Sequence, residues 1–123
     1  MHLRIARHTE QLDELVRFYR DGLGLELIGT FTGHDGYSGR FLAIPGTGAH
    51  LEFTSGPAAS MPLPHPESLL VLYLDDTAAV DAAVERSGAT PVEPENPYWQ
   101  RIGAVALRDP DGFLVVLVPG PWT

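Results

Sequence analysis

In the stretch AHLEFTS (residues 49–55), His50 and Glu52 stand two positions apart between apolar neighbours. A strand sends alternate side chains to opposite faces, so Leu51 and Phe53 would share one face and His50, Glu52 and Thr54 the other. The Leu51/Phe53 face belongs in a core. A histidine and a carboxylate on the opposite face can be half of a metal site, a paired charge in a binding cavity, or two solvated groups. The opening residues HLRIARH offer similar chemistry. Read as a strand, they place His2, Arg4, Ala6 and His8 on one face and Leu3, Ile5 and Arg7 on the other.

Two aromatic features join these candidates. Tyr73 shares a strand face with Leu69 and Val71, where it can hydrogen-bond a ligand or simply pack. The loop Asn96-Pro97-Tyr98-Trp99 sets two aromatics on a stiff edge. Trp99 there can be a lid over a flat ligand, a plug closing one end of a barrel, or a dimer contact. No serine has a paired base in view, and the glycines Gly22 and Gly24 follow a helix rather than precede one, so a phosphate loop is not indicated. The sequence contains no cysteine, which rules out a disulfide, a thiolate zinc site and a thiol nucleophile.

The elements that must position these side chains are punctuated by glycine and proline. A strand over 2–8 is followed by a helix in TEQLDELVRFYRDGLG, where Leu12, Leu15, Val16, Tyr19 and Leu23 recur at helical spacing. Thr9 is a candidate cap, and Gly22 or Gly24 a stop. Strands are expected at 25–31, 37–44 and 49–55. Residues 56–66 hold four prolines and read as a connector. A strand at 69–74, a helix from Asp75-Asp76-Thr77 to about Arg86 stopped by Ser87-Gly88, and a short strand near Thr90–Glu93 come next. Strands at 104–108 and 114–118 flank the tight-turn sequence Asp109-Pro110-Asp111-Gly112. Both halves thus read strand, helix, strand, strand, strand: residues 1–55 as one module, 56–66 as linker and 67–120 as the other.

The chain has 123 residues and 44% apolar content, which suits a single α+β domain with a real core. Its net charge is −8 and all eight basic residues are arginine, so a nucleic-acid partner is not expected. No run is long and apolar enough for a membrane span, and the first residues lack an apolar signal region, so a cytoplasmic protein is expected. The acidic balance serves solubility, or attracts a cationic small molecule if the acids line a cavity.

The element order, with LDELVRFYRDGLGLEL early and LRDPDGFLVVLV late, resembles the vicinal oxygen chelate superfamily. That group includes glyoxalase I, extradiol dioxygenases, fosfomycin-modifying enzymes and bleomycin-resistance proteins. The resemblance covers nearly the whole chain and implies two tandem βαβββ modules whose curled mixed sheets enclose a cleft, in a homodimer. It also implies a divalent metal held by histidines and glutamates from the outer strands. The corresponding positions fall on Arg4, Glu52, Leu69 and Val116. Arginine is always charged and only donates, and leucine and valine have no lone pair, so one ligand in four remains. A shifted set from His2 or His8 with His50 and Glu52 would leave the second module without a ligand.

The expectation is therefore a metal-independent binding protein without a cofactor. Its ligand would be a cationic or aromatic small molecule, held in a cleft lined by Arg4, His8, His50, Glu52, Tyr73 and Trp99. Arg4 and Glu52 would form a bidentate ion pair where relatives hold their metal. The alternative is a lyase, isomerase or dioxygenase with a rearranged site, metal-dependent or using His50 and Glu52 as acid and base.

Overall fold

A computed structural model describes residues 1–57 and 60–123. The chain divides into two compact units, Met1–Leu63 and Pro64–Thr123. The connector expected over 56–66 includes two positions outside the described residues.

In the first unit, strand β1 (Leu3–His8) leads to helix α1 (Leu12–Val16), which widens into a π-helical turn over Arg17–Gly22. Strands β2 (Glu26–His34), β3 (Tyr37–Ala43) and β4 (Ala49–Ser55) follow. They form an open mixed sheet in the order β1-β4-β3-β2, with β1 parallel to β4 and the other pairs antiparallel. Thr9 does not cap the helix as expected. It is buried, and its Oγ1 accepts from the N–H of Gln11, one residue before the first helical position. Glycine supplies the stop: Gly24 takes φ +83°, a left-handed backbone that side chains with a Cβ avoid.

One face of this sheet is the core. Leu51 and Phe53 are buried there with Leu42, Leu15 and Tyr19, and the Tyr19 and Phe53 rings stack at 5.1 Å. Arg7 reaches across the same face and lays its guanidinium over the Phe53 ring. Leu3 and Ile5 share that face but lie on an edge strand, and they remain about half exposed. The helix rests against β3 and β4.

In the second unit, β5 (Leu69–Leu74) is followed by α2 (Thr77–Ser87), α3 (Tyr98–Arg101), β6 (Val105–Arg108) and β7 (Leu114–Pro119). Its sheet runs β5-β7-β6, with β5 parallel to β7. Asp76 caps α2 by accepting from the N–H of Ala79 at 2.8 Å, and Gly88 ends the helix at φ +69°. The strand expected near Thr90–Glu93 reduces to one bridge, Val92 to Ala106. Pro91 and Pro94 flank Val92 and bring no N–H, so a longer ladder cannot form there. The loop expected at Asn96-Pro97-Tyr98-Trp99 runs into the short helix α3, which takes in its two aromatics. Asp109 holds the β6–β7 turn: its Oδ1 accepts from the N–H groups of Asp111 and Phe113.

With that bridge counted and the extra helix α3 set aside, each unit repeats the same order, and two modules of mixed sheet with few helices make an α+β fold. Among the described residues no helix is long and apolar enough to cross a membrane.

Candidate functional site

The sheet face opposite the first unit's core carries the chemistry. Register fixes its composition. Arg4 lies across from His50 and Ala6 from Glu52 on the parallel pair. On the antiparallel pairs Phe41 lies across from Glu52 and Gly29, and Gly39 across from Phe31. Residues opposite one another point to the same face, so a polar strip on β1 and β4 adjoins an aromatic strip on β3 and β2.

In the polar strip, Arg4 Nε donates to His50 Nε2 at 2.9 Å. The other ring nitrogen, His50 Nδ1, lies 2.5 Å from His2 Nε2. His50 is buried, and that burial holds its pKa below the ordinary value; the Arg4 and His2 charges push the same way, and Glu52 opposes them. The Arg4–Glu52 pairing forms, but not in the expected bidentate shape. Arg4 Nη1 is 3.8 Å from Glu52 Oε2, beyond hydrogen-bond length, and the Arg4 side chain is 52% exposed. The reason is competition: the guanidinium spends its Nε–H on His50 and lies over the Phe41 ring, 5.1 Å from its centre. Glu52 is 14% exposed, and Arg4 is its one ionic or hydrogen-bonding partner among the described residues. A carboxylate so withdrawn keeps acceptor capacity to spare.

The aromatic strip escaped sequence reasoning. Phe41 and Phe31 are half-buried with ring centres 5.8 Å apart, Phe41 is 5.8 Å from the His50 ring, and Phe31 is 5.3 Å from His34. Glycine makes room for it. A Cβ on Gly39 would fall 2.2 Å from the Phe31 ring, and one on Gly29 would fall 3.1 Å from the Phe41 ring. The signal was present in the shared parity of Gly39 and Phe41 on one strand, but only the pairing of β3 with β4 ties it to Glu52.

Of the predicted site residues, Arg4, His50 and Glu52 come together. His8 shares their face at the end of β1, opposite Thr54, and its buried Nδ1 has no partner among the described residues. Tyr73 and Trp99 belong to the second unit. Tyr73 is 41% exposed at the end of β5. Trp99 packs onto an apolar face made by Ala106, Val116 and Val118 with Leu69 and Val71, and its buried Nε1 has no partner among the described residues.

Those placements test the metal that the resemblance implies. Leu69 and Val116 sit in that apolar cluster, and Arg4 offers only donors. A shifted set does no better, because both His50 nitrogens are engaged by Arg4 and His2. Among the described residues no group of three or more histidine, cysteine or acidic side chains converges. The donor set does not fit a divalent ion.

This two-module architecture is the vicinal oxygen chelate fold of glyoxalases and of bleomycin- and fosfomycin-resistance proteins. Residues 3–54 match the YycE-like N-terminal domain and residues 67–119 the YycE-like C-terminal domain. The chain belongs to the YycE-like family. It is 46% identical over 120 residues to protein YycE of Bacillus subtilis, covering 94% of this chain and 86% of that one. A solved structure of a Bacillus subtilis YycE protein of unknown function superposes with a TM-score of 0.90 at 42% identity, over 99% of this chain and 91% of that chain. TnmS3, an antibiotic-binding protein from Streptomyces sp. CB03234, shares the fold with a TM-score of 0.72 at 21% identity, over 98% and 96% of the two chains.

Proposed function

We propose that the chain is a metal-independent small-molecule-binding protein. Its ligand is flat, aromatic and either cationic or rich in N–H donors. The observation that carries this is the Phe31–Phe41 strip, laid over Gly29 and Gly39 beside a Glu52 carboxylate that lacks a hydrogen-bonded partner. The Phe31 and Phe41 rings, tilted to one another, supply apolar area for sequestering, and the carboxylate supplies charge selection. The antibiotic-binding neighbour offers a precedent in fold alone. An acid–base role for His50 fits less well, because both of its ring nitrogens are engaged, Nε2 by Arg4 and Nδ1 by His2.

A thermal-shift panel of planar aromatic cations, neutral analogues and aryl carboxylates tests the reading. A ligand that binds only the folded chain raises the melting temperature, by an amount that grows with the logarithm of ligand concentration over Kd. The cations should raise it most and the carboxylates least. A flat response across the panel contradicts the proposal.

The reading includes pairing with a second copy of the chain, supported by the half-exposed Leu3 and Ile5 on the β1 edge. Sedimentation equilibrium should show a dimer that Ile5→Glu weakens; a monomer at all concentrations overturns this part.

A further inference from the structure

We propose that the face selects a ligand whose N–H stands beside a C=O on one edge, as in a lactam, an imide or another cyclic amide: Glu52 accepts from the N–H while Arg4 donates to the C=O. The inference rests on the binding function proposed above and names the polar edge of its ligand.

Register staggers the two charged residues. Arg4 lies across from His50, and Glu52 lies across from Ala6, so Arg4 and Glu52 are diagonal neighbours on β1 and β4. The Nε–H bond to His50 and the Phe41 ring beneath the guanidinium then hold Arg4 where it stands. A gap is left. Nη1 stops 3.8 Å from Glu52 Oε2, where an N–H···O bond needs about 2.7–3.2 Å. Among the described residues, neither the Arg4 Nη groups nor the Glu52 carboxylate has a hydrogen-bonded partner. The guanidinium can only donate, and the ionised carboxylate can only accept. Ala6, directly across from Glu52, is exposed and carries only a methyl, which leaves room at the carboxylate.

The gap suits an amide edge. With bond lengths of about 1.23 and 1.33 Å meeting at about 120°, the O and N of one amide lie about 2.2 Å apart. One hydrogen bond from each, splayed slightly outward, reaches partners 3.8 Å apart. A chain amide is trans and sends its N–H and C=O to opposite sides, whereas a ring holds both on one side. The pair therefore favours cyclic amides over peptides. A planar ring system with that edge also offers a face to the Phe31–Phe41 strip beside Glu52. A ring with an N–H alone leaves the Arg4 donors without a new acceptor. A ring with a C=O alone covers Glu52 without giving it a donor.

The experiment is fluorescence titration of the ligand-free protein at neutral pH with three flat tricyclic probes of similar area. Phenanthridinone carries its N–H and C=O side by side. Acridone is its isomer, with the two groups on opposite sides of the central ring. N-Methylphenanthridinone keeps the C=O and loses the N–H. An acridinium dye, titrated in parallel, tests binding itself. The wild type should bind phenanthridinone about tenfold or more tighter than either other tricycle, the effect of one hydrogen bond to a charged group. In Arg4→Ala phenanthridinone should fall to the level of acridone. The two isomers are compared within each variant, so a general loosening of the face does not imitate this result. Equal wild-type affinity for the two isomers, or an isomer preference that survives in Arg4→Ala, overturns the proposal. If the dye binds and the isomers are equivalent, the edge selection falls and the binding function stands. If neither the dye nor any tricycle binds, both fall.

Discussion

Arg4 and Glu52 face each other across β1 and β4 at 3.8 Å, yet the shorter bond from Arg4 goes to His50 at 2.9 Å. The arginine bridges a neutral acceptor and a carboxylate instead of closing on the carboxylate. What the face can bind depends on that division.

The division also sets the cost of losing Arg4. A fully buried pair would lose about 3–5 kcal/mol when one partner is removed. Here the arginine is half exposed, and solvent screening reduces the ion pair to about 0–1 kcal/mol. The hydrogen bond to His50 adds about 1 kcal/mol. Arg4→Ala should therefore destabilise by about 1–2 kcal/mol in urea unfolding. A loss above 3 kcal/mol would mean that Glu52 depends on Arg4 as a buried counter-charge.

The pH dependence of stability follows from His50. Burial, with Arg4 and His2, holds its folded-state pKa below the ordinary 6.5. Above that ordinary value neither state carries the proton, and the His50 contribution is fully present. As pH falls below it, the unfolded chain takes up a proton that the folded chain refuses, so stability drops until the folded pKa is passed. Unfolding free energy should decline from pH 7 toward pH 5, and His50→Gln should flatten that decline. A His50→Gln profile parallel to wild type over this window would show that other groups carry the dependence.

A side chain at Gly39 should displace the Phe31 ring. An added Cβ would sit 2.2 Å from the Phe31 ring, and the ring would have to leave the strip. Gly39→Ala should cost about 1–3 kcal/mol, as overpacking does. It should also abolish ligand-induced thermal shifts. Retained shifts would separate Phe31 from the binding face.

How far the sequence reaches is visible at particular positions. Alternation in 49–55 places Leu51 and Phe53 in the core and His50 and Glu52 opposite, because a strand's period of two depends only on the local backbone. Asp76, Gly88 and the Asp109 turn were equally legible, since capping and turn chemistry act within a few residues. The missed features depend on register between distant strands. His2 and His50 are 48 positions apart, and their contact follows from the parallel pairing of β1 with β4. The Phe31–Phe41 strip needs the β2–β3 pairing, which is shifted where Leu27 and Gly29 meet Leu42 and Phe41. Thr9 misled for a different reason: its hydroxyl takes the N–H of Gln11, so it closes a turn ahead of the helix.

The most direct measurement is calorimetric titration of an acridinium dye into the wild type, Phe41→Leu and Glu52→Gln at pH 7.5. The wild type should bind saturably. Phe41→Leu should bind about tenfold more weakly or worse for loss of stacking worth about 1–1.5 kcal/mol. Glu52→Gln should lose the preference for the cation over its neutral acridine analogue. Wild-type affinity in both variants, or no binding to the wild type, would contradict a binding face built from the aromatic strip and the Glu52 carboxylate.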